Sequence, residues 1–97
     1  MAGFEWDPDK AEANWRKHGV RFEDAARLFS GLALTRDTSR GAEARFASIG
    51  FIEGSALVVI WTPRENVVRI ISARRAKRRE REAFDQEVSR AVAPRRH

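Results

Sequence analysis

The chain has 97 residues, of which 42% are hydrophobic and 34% charged, with a net charge of +5 and no cysteine. That suits one soluble domain around one modest core, and it excludes disulfides, a thiol nucleophile and Cys-based zinc sites. The longest apolar run, ALVVIW from Ala56 to Trp61, is far short of the ~20 residues that cross a bilayer.

The opening MAGFEWDPDK holds no apolar signal segment, so a cytoplasmic protein is expected. FEW reads as a short strand. Asp7 then suits a helix N-cap and Pro8 the first helical position. The first helix should run through DPDKAEANWRKHG and stop at Gly19. Ala11, Asn14, Trp15 and His18 fall on one of its faces. A second helix, RFEDAARLFSG, repeats that spacing with Phe22, Ala25, Ala26 and Phe29, and Gly31 ends it. Trp6, Trp15 and Trp61 read as core residues.

From Leu32 the texture changes. LALTRDT reads as a strand, DTSRGAEA as a polar connection and RFASIGFIE as a further strand. Gly54–Ser55 reads as a hairpin turn. ALVVIWT is apolar on both faces and belongs in the middle of a sheet. Pro63 fits a strand end, PREN a turn and VVRIISAR the last strand. Strict alternation there puts Arg69 on one face with Ala73 and Arg75, and Arg74 on the other. A helix follows from about Ala76, with Phe84, Val88, Ala91 and Val92 as its apolar stripe. Residues 1–93 form a single domain, and 94–97 a basic tail.

The order β-α-α-β-β-β-β-α is an α+β pattern. It predicts a twisted antiparallel sheet with helices packed on one face. The other face is left for solvent or ligand.

Charge is uneven along this order. Residues 1–48 carry eight cations and eight anions, whereas 49–97 carry eleven and six. The excess therefore sits in the second half, which points to an anionic partner. From Arg74 to Glu82, nine residues hold six cations and two anions. Cations at a helix start oppose the helix dipole, so local stability is a poor reason for Arg74, Arg75, Lys77 and Arg78 to stand there.

No pair of His or carboxylates has metal-ligand spacing, and there is no phosphate loop or nucleophile elbow. No cofactor is expected. Arg, Lys, Glu and His remain, a set that suits RNA cleavage. RNA supplies its own nucleophile, the 2′-hydroxyl, and needs cations on the phosphate and groups that move protons. His18, Glu43 and Glu80 are the candidate proton carriers. His18 has a plain alternative as a half-buried residue favoured by the helix dipole. Arginine stays protonated and acts as a clamp.

Three phrases, FEWDPDKAEANWRKHGVRFEDAARLF, EARFASIG and RIISARRAKRRERE, resemble the BrnT family of bacterial type II toxins, in the same order over residues 4 to about 84. Arg21 departs from the pattern where a capping Ser or Thr is usual, so the second helix should be poorly capped. The resemblance implies a RelE-like fold and a metal-free endoribonuclease that arrests growth. It implies a cognate BrnA antitoxin, a ribbon-helix-helix protein through which the complex touches operator DNA. Arg45 and Arg74 match the motif's basic positions, and KHG brings His18. The expected catalytic set is His18, Glu43, Arg45 and Arg74. Arg69, Arg75, Lys77, Arg78 and Arg79 would track the RNA backbone. The rival expectation is a non-catalytic nucleic-acid-binding or protein-interaction module using the same basic helix.

Overall fold

The computed structural model describes residues 3–92, without the side chain of Val92. The expected tail, 94–97, and the domain end at 93 lie outside the described residues. Strand β1 is Gly3–Glu5, helix α1 Pro8–His18, α2 Phe22–Ala26, followed by a 3₁₀ turn over Arg27–Ser30. Strands β2 (Ala33–Asp37), β3 (Phe46–Ile52), β4 (Ser55–Arg64) and β5 (Val67–Arg75) come next, and α3 is Arg78–Val92.

Local chemistry sets these limits. The Asp7 carboxylate accepts the Asp9 N–H at 2.8 Å, and Gly19 closes α1 with φ of 67°. That left-handed geometry is cheap for glycine alone. Arg21 gives α2 no side-chain cap. The second helix accordingly runs one turn and tightens into 3₁₀ form. The β3–β4 turn is Glu53–Gly54, both with positive φ. It sits one residue earlier than Gly54–Ser55, because a two-residue hairpin loop of this hand needs φ > 0 at both positions. Pro63 lies inside β4, not at its end. β3 pairs with β4 only as far as Trp61, so Pro63 has no neighbour on that side to leave without a donor.

The sheet order is β1-β5-β4-β3-β2, antiparallel except that β1 pairs with β5 in parallel. The sheet is thus mixed, not wholly antiparallel. The chain can enter β1 parallel to β5 because three strands and two helices separate them, ample length for a crossover.

A bulge in β5 decides what faces what. Ile60 pairs with Ser72 but Trp61 pairs with Ile70, so Ile71 is an extra residue. One extra residue flips everything beyond it. Val68, Ile70 and Ala73 therefore share one face, and Arg69, Ser72 and Arg74 the other. The expectation that Arg69 and Arg74 lie on opposite faces is corrected by this bulge.

The first face carries the core. Val20, Phe22, Ala25 and Leu28 from the helical segment pack on Leu57, Val59, Val68, Ile70 and Ala73. At 0% exposure, Phe22 is fully removed from water, worth roughly 1.5–3 kcal/mol. Gly50 sits where the 3₁₀ turn presses closest: a Cβ there would lie 2.8 Å from the Leu32 carbonyl oxygen.

Asn14 holds α1 to the sheet. Its Oδ1 accepts the Ala73 N–H at 3.0 Å, while its Nδ2 donates to the carbonyls of Ala73 at 2.8 Å and Val20 at 3.0 Å. The side chain thereby pairs β5 where β1 has already ended. Trp15, expected in the core, is 41% exposed, with the Arg21 guanidinium 4.2 Å from its ring centre. Asn14 takes the inward position of α1, and Trp15 next to it turns outward. Trp6 and Trp61 pack against the core as expected.

Helix α3 does not join α1 and α2. Its Phe84 is 6% exposed and packs on Phe51, 5.6 Å between ring centres. Phe51 alternates with core-facing Gly50 and Ile52, so it lies on the second face. The expectation that all helices pack on one face is therefore corrected. After Arg75 the chain keeps one more bond to β4, the Ala76 N–H donating to the Ala56 carbonyl at 2.8 Å, and the apolar side of α3 then finds Phe51 across the second face.

Candidate functional site

Helix α3 covers only part of the second face. What it leaves open is floored by Ala47, Ile60 and Ser72, in line across β3, β4 and β5. Two adjoining hollows of about 570 Å³ each share Thr38 and Ile60. Arg36, Arg74, Glu80 and Glu87 border the first, and Arg40, Glu43 and Arg45 the second. The floor is small and uncharged, and the walls are charged.

The wall formed by the β2–β3 connection is knitted around Arg45. The Arg45 N–H donates to Ser39 Oγ at 2.8 Å, and its carbonyl accepts the Thr38 N–H at 2.8 Å and the Thr38 hydroxyl at 3.1 Å. The Thr62 hydroxyl donates to the carbonyl of Ala44. Gly41 supplies a left-handed turn with φ of 65°, and Arg40 bridges Glu43 through the backbone. These contacts fix the backbone of a polar loop that has no apolar anchor of its own. The Arg45 side chain then donates through Nη2 to Glu43 Oε1 at 2.8 Å. That bond and the positive charge hold the Glu43 carboxyl below the usual carboxylate range.

The opposite wall is an ion pair. Arg74 Nη1 and Nη2 donate to Glu80 Oε1 and Oε2, both at 2.8 Å. Glu80 Oε1 also accepts the Lys77 N–H at 2.7 Å. Glu80 is the third residue of α3, and its carboxylate closes the helix start as the acidic half of a capping box does. Charge-assisted bonds from Arg74, helped by the Lys77 N–H, lower the Glu80 pKa to about 2. The same pairing raises that of Arg74. A carboxylate so firmly ionised and engaged is a poor proton acceptor.

The expected site residues therefore separate. Arg45, Glu43 and Arg74 come together around the groove. His18 ends α1 on the other side of the sheet, half-buried, and borders neither hollow. Arg69 is on the groove side, but its Nη1 donates to Glu5 Oε2 at 2.8 Å, tying β5 to β1. Arg75 pairs in register with core-facing Leu57 and so faces away from Arg74. Lys77, Arg78 and Arg79 form the exposed start of α3, with Arg78 paired to Glu82 at 3.2 Å. Arg36 and Arg40 were not singled out by the sequence. Among the described residues neither forms an ion pair, and both border the groove. Alternation along Leu34, Arg36 and Thr38 was the available signal for Arg36. Arg40 sits in a loop where no periodicity applies. Among the described residues no group of three His, Asp or Glu gathers closely enough to hold a metal ion. No helix of the described residues is long and apolar enough to cross a membrane.

A mixed sheet with α1 and α2 on one face, and α3 beside an arginine-walled groove on the other, defines a small α+β domain suited to anionic ligands. The chain belongs to the BrnT family: residues 6–80 match the family described as the ribonuclease toxin, BrnT, of a type II toxin-antitoxin system. It is also similar to the Brucella abortus ribonuclease toxin, BrnT, known from a 1.1 Å crystal structure. Identity is 27% and the TM-score 0.62, over 80% of this chain and 100% of that one. No curated protein matches the chain. Membership of a ribonuclease toxin family in a toxin-antitoxin system implies an RNA target and an antitoxin partner.

Proposed function

We propose that this chain is an endoribonuclease that cuts RNA by attack of the 2′-hydroxyl, with the groove of the second face as its active site. The observation that carries this is the convergence of Arg36, Arg40, Arg45 and Arg74 on one groove whose floor is uncharged. Cations at the rim suit phosphates, and an uncharged floor suits the flat face of a base or sugar. Arg45 and Arg74 hold the scissile phosphate and stabilise the charge that grows on it.

Glu43 is the proton acceptor on this reading. It is exposed at the groove, and only Oε1 is engaged by Arg45. The 2′-hydroxyl proton passes to the carboxylate, the O2′–P bond forms, and the P–O5′ bond breaks, the leaving oxygen taking a proton from water. A carboxylate with a lowered pKa is a weak base. Electrostatic stabilisation by the arginines then supplies most of the acceleration. His18 stands outside this scheme.

The proposal includes a RelE-like kinship, supported by the sheet with flanking helices. It also includes neutralisation by a BrnA-like ribbon-helix-helix antitoxin that carries the complex to operator DNA, supported by the family. Metal independence rests on the absence of a ligand set among the described residues. Purified protein should cut RNA in excess EDTA, leave a 2′,3′-cyclic phosphate end, and spare an all-deoxy strand. Loss of cutting in EDTA with recovery on adding a divalent ion contradicts the mechanism. Tight RNA binding without any cutting favours a non-catalytic binding module.

A further inference from the structure

Arg74 has five N–H donors in a planar fork. Both hydrogens of Nη1 are taken, one by Glu80 Oε1 at 2.8 Å and one by the Arg75 carbonyl at 3.3 Å. One hydrogen of Nη2 is taken by Glu80 Oε2 at 2.8 Å. Among the described residues nothing accepts from Nε–H or from the second Nη2–H. Those two lie side by side along the other edge of the guanidinium. Arg74 is thus half used: its end holds the protein, and its side is left as a parallel pair of donors. Two parallel N–H groups match two oxygens of a phosphate.

We propose that Glu80 is a positioning residue that turns this free edge of Arg74 into the groove as a two-pronged seat for a phosphate. The proposal rests on the ribonuclease reading above. Glu80 suits the task because it is itself held. It is anchored by the Lys77 N–H at 2.7 Å and by its place in the first turn of α3. Arg74 and Glu80 are about equally covered, with side-chain exposures of 31% and 33%. Water competes less with their bonds than at a free surface, while the unused edge stays reachable. One carboxylate therefore joins the start of α3 to the direction in which Arg74 points. An arginine without it would sample many rotamers, and its charge would remain while its aim was lost.

Glu80→Gln tests this. The glutamine keeps the volume and one acceptor oxygen for the Lys77 N–H, but it sets an amide NH₂ against one arm of Arg74. Steady-state cleavage should show kcat falling ~10²-fold, the loss typical of misplacing a catalytic group. KM should stay within a few-fold, because the charge of Arg74 remains. Glu80→Asp keeps the charge on a shorter arm and should recover part of the rate. Added to Arg74→Ala, Glu80→Gln should cost nothing further, since the two act as a unit. In ¹H–¹⁵N spectra the Arg74 Nη hydrogens held by Glu80 should be protected in wild type and lose that protection in Glu80→Gln, and the free Nε–H should shift on adding a 2′-O-methyl RNA strand to wild type. A purely structural role would instead scale with thermal stability and leave Nε–H unmoved. Wild-type kcat in folded Glu80→Gln overturns the proposal. If the wild type itself fails to cut RNA, the ribonuclease reading falls, and Arg74 Nη hydrogens equally protected in Glu80→Gln then overturn the positioning role as well.

Discussion

The two faces of the sheet are built from the same four long strands yet are finished differently. On the first, the buried positions are apolar or internally bonded. Ser48, at 0% exposure, accepts the Trp61 indole N–H at 2.9 Å and shares a 2.7 Å bond with Thr35. Asn14 uses both ends of its amide on backbone groups. On the second, α3 covers one end and arginines ring the remainder. The core lies on the first face and the proposed binding chemistry on the second, so substitutions on the two should fail in different ways.

The largest separation should come from Phe22→Ala and Arg74→Ala. Phe22→Ala opens a cavity in the first face and should lower unfolding free energy by ~3–5 kcal/mol in a denaturant titration. Arg74→Ala should leave most of that stability in place and cut the cleavage rate ~10²–10³-fold, equivalent to ~2.7–4 kcal/mol of transition-state binding. Arg74→Lys keeps charge without the fork and should rescue only part of it. A Phe22→Ala protein as stable as wild type would mean that the first face is not the core.

Asn14→Leu should come next. It strands the Ala73 N–H and carbonyl beside an apolar group, at ~1–3 kcal/mol for such a buried unpaired partner. Hydrogen exchange at the Ala73 amide should speed up in the variant. An unchanged exchange rate would remove Asn14 as the residue that pairs the end of β5.

The Glu80 pair gives a pH signature on the second face. Its folded pKa of about 2 lies below the ordinary carboxylate value of 4.5. A depressed carboxyl contributes stability that is fully present above about pH 4.5 and is lost as pH falls through about 2. Wild type should lose stability across that window, and Glu80→Gln should lose less of it. The difference is modest, because solvent screens a pair this exposed. Parallel acid limbs would mean that the ion pair adds little in solution.

The smallest effect on the fold should come from Lys77→Glu, Arg78→Glu and Arg79→Glu together. All three are exposed at the start of α3, so stability should stay within about 0.5 kcal/mol per change. An acidic antitoxin segment seated there would bind the triple variant more weakly and with altered salt dependence. Unchanged affinity would place that interface elsewhere.

The elements themselves were legible in the sequence, because caps and punctuation are local. Asp7–Pro8 and Gly19 bound α1, and Glu53–Gly54 falls within one residue of the expected hairpin. Sidedness was not legible. It turns on Ile71, a single extra residue in β5 that no composition or period marks. The side taken by α3 depends on where the chain leaves β5 and on which apolar residue, here Phe51, waits across the sheet. Trp15 misled because size suggests burial, whereas a neighbouring Asn with three backbone partners had the stronger claim to the interior. Within the groove, Arg74 was visible from chemistry and Arg45 from the family resemblance. Arg36 and Arg40 were hidden among a chain-wide scatter of arginines until the strands gathered them.

The central claim is that RNA meets the second face. Its most direct test is to map a non-cleavable 2′-O-methyl RNA strand onto the ¹⁵N-labelled protein by chemical-shift perturbation. The largest shifts are expected at Arg36, Ala47, Ile60, Ser72 and Arg74 and along the Thr38–Arg45 loop, with α1 and α2 silent. Shifts centred on His18, Trp15 and Arg21 would put the RNA on the helical side of the sheet and contradict it.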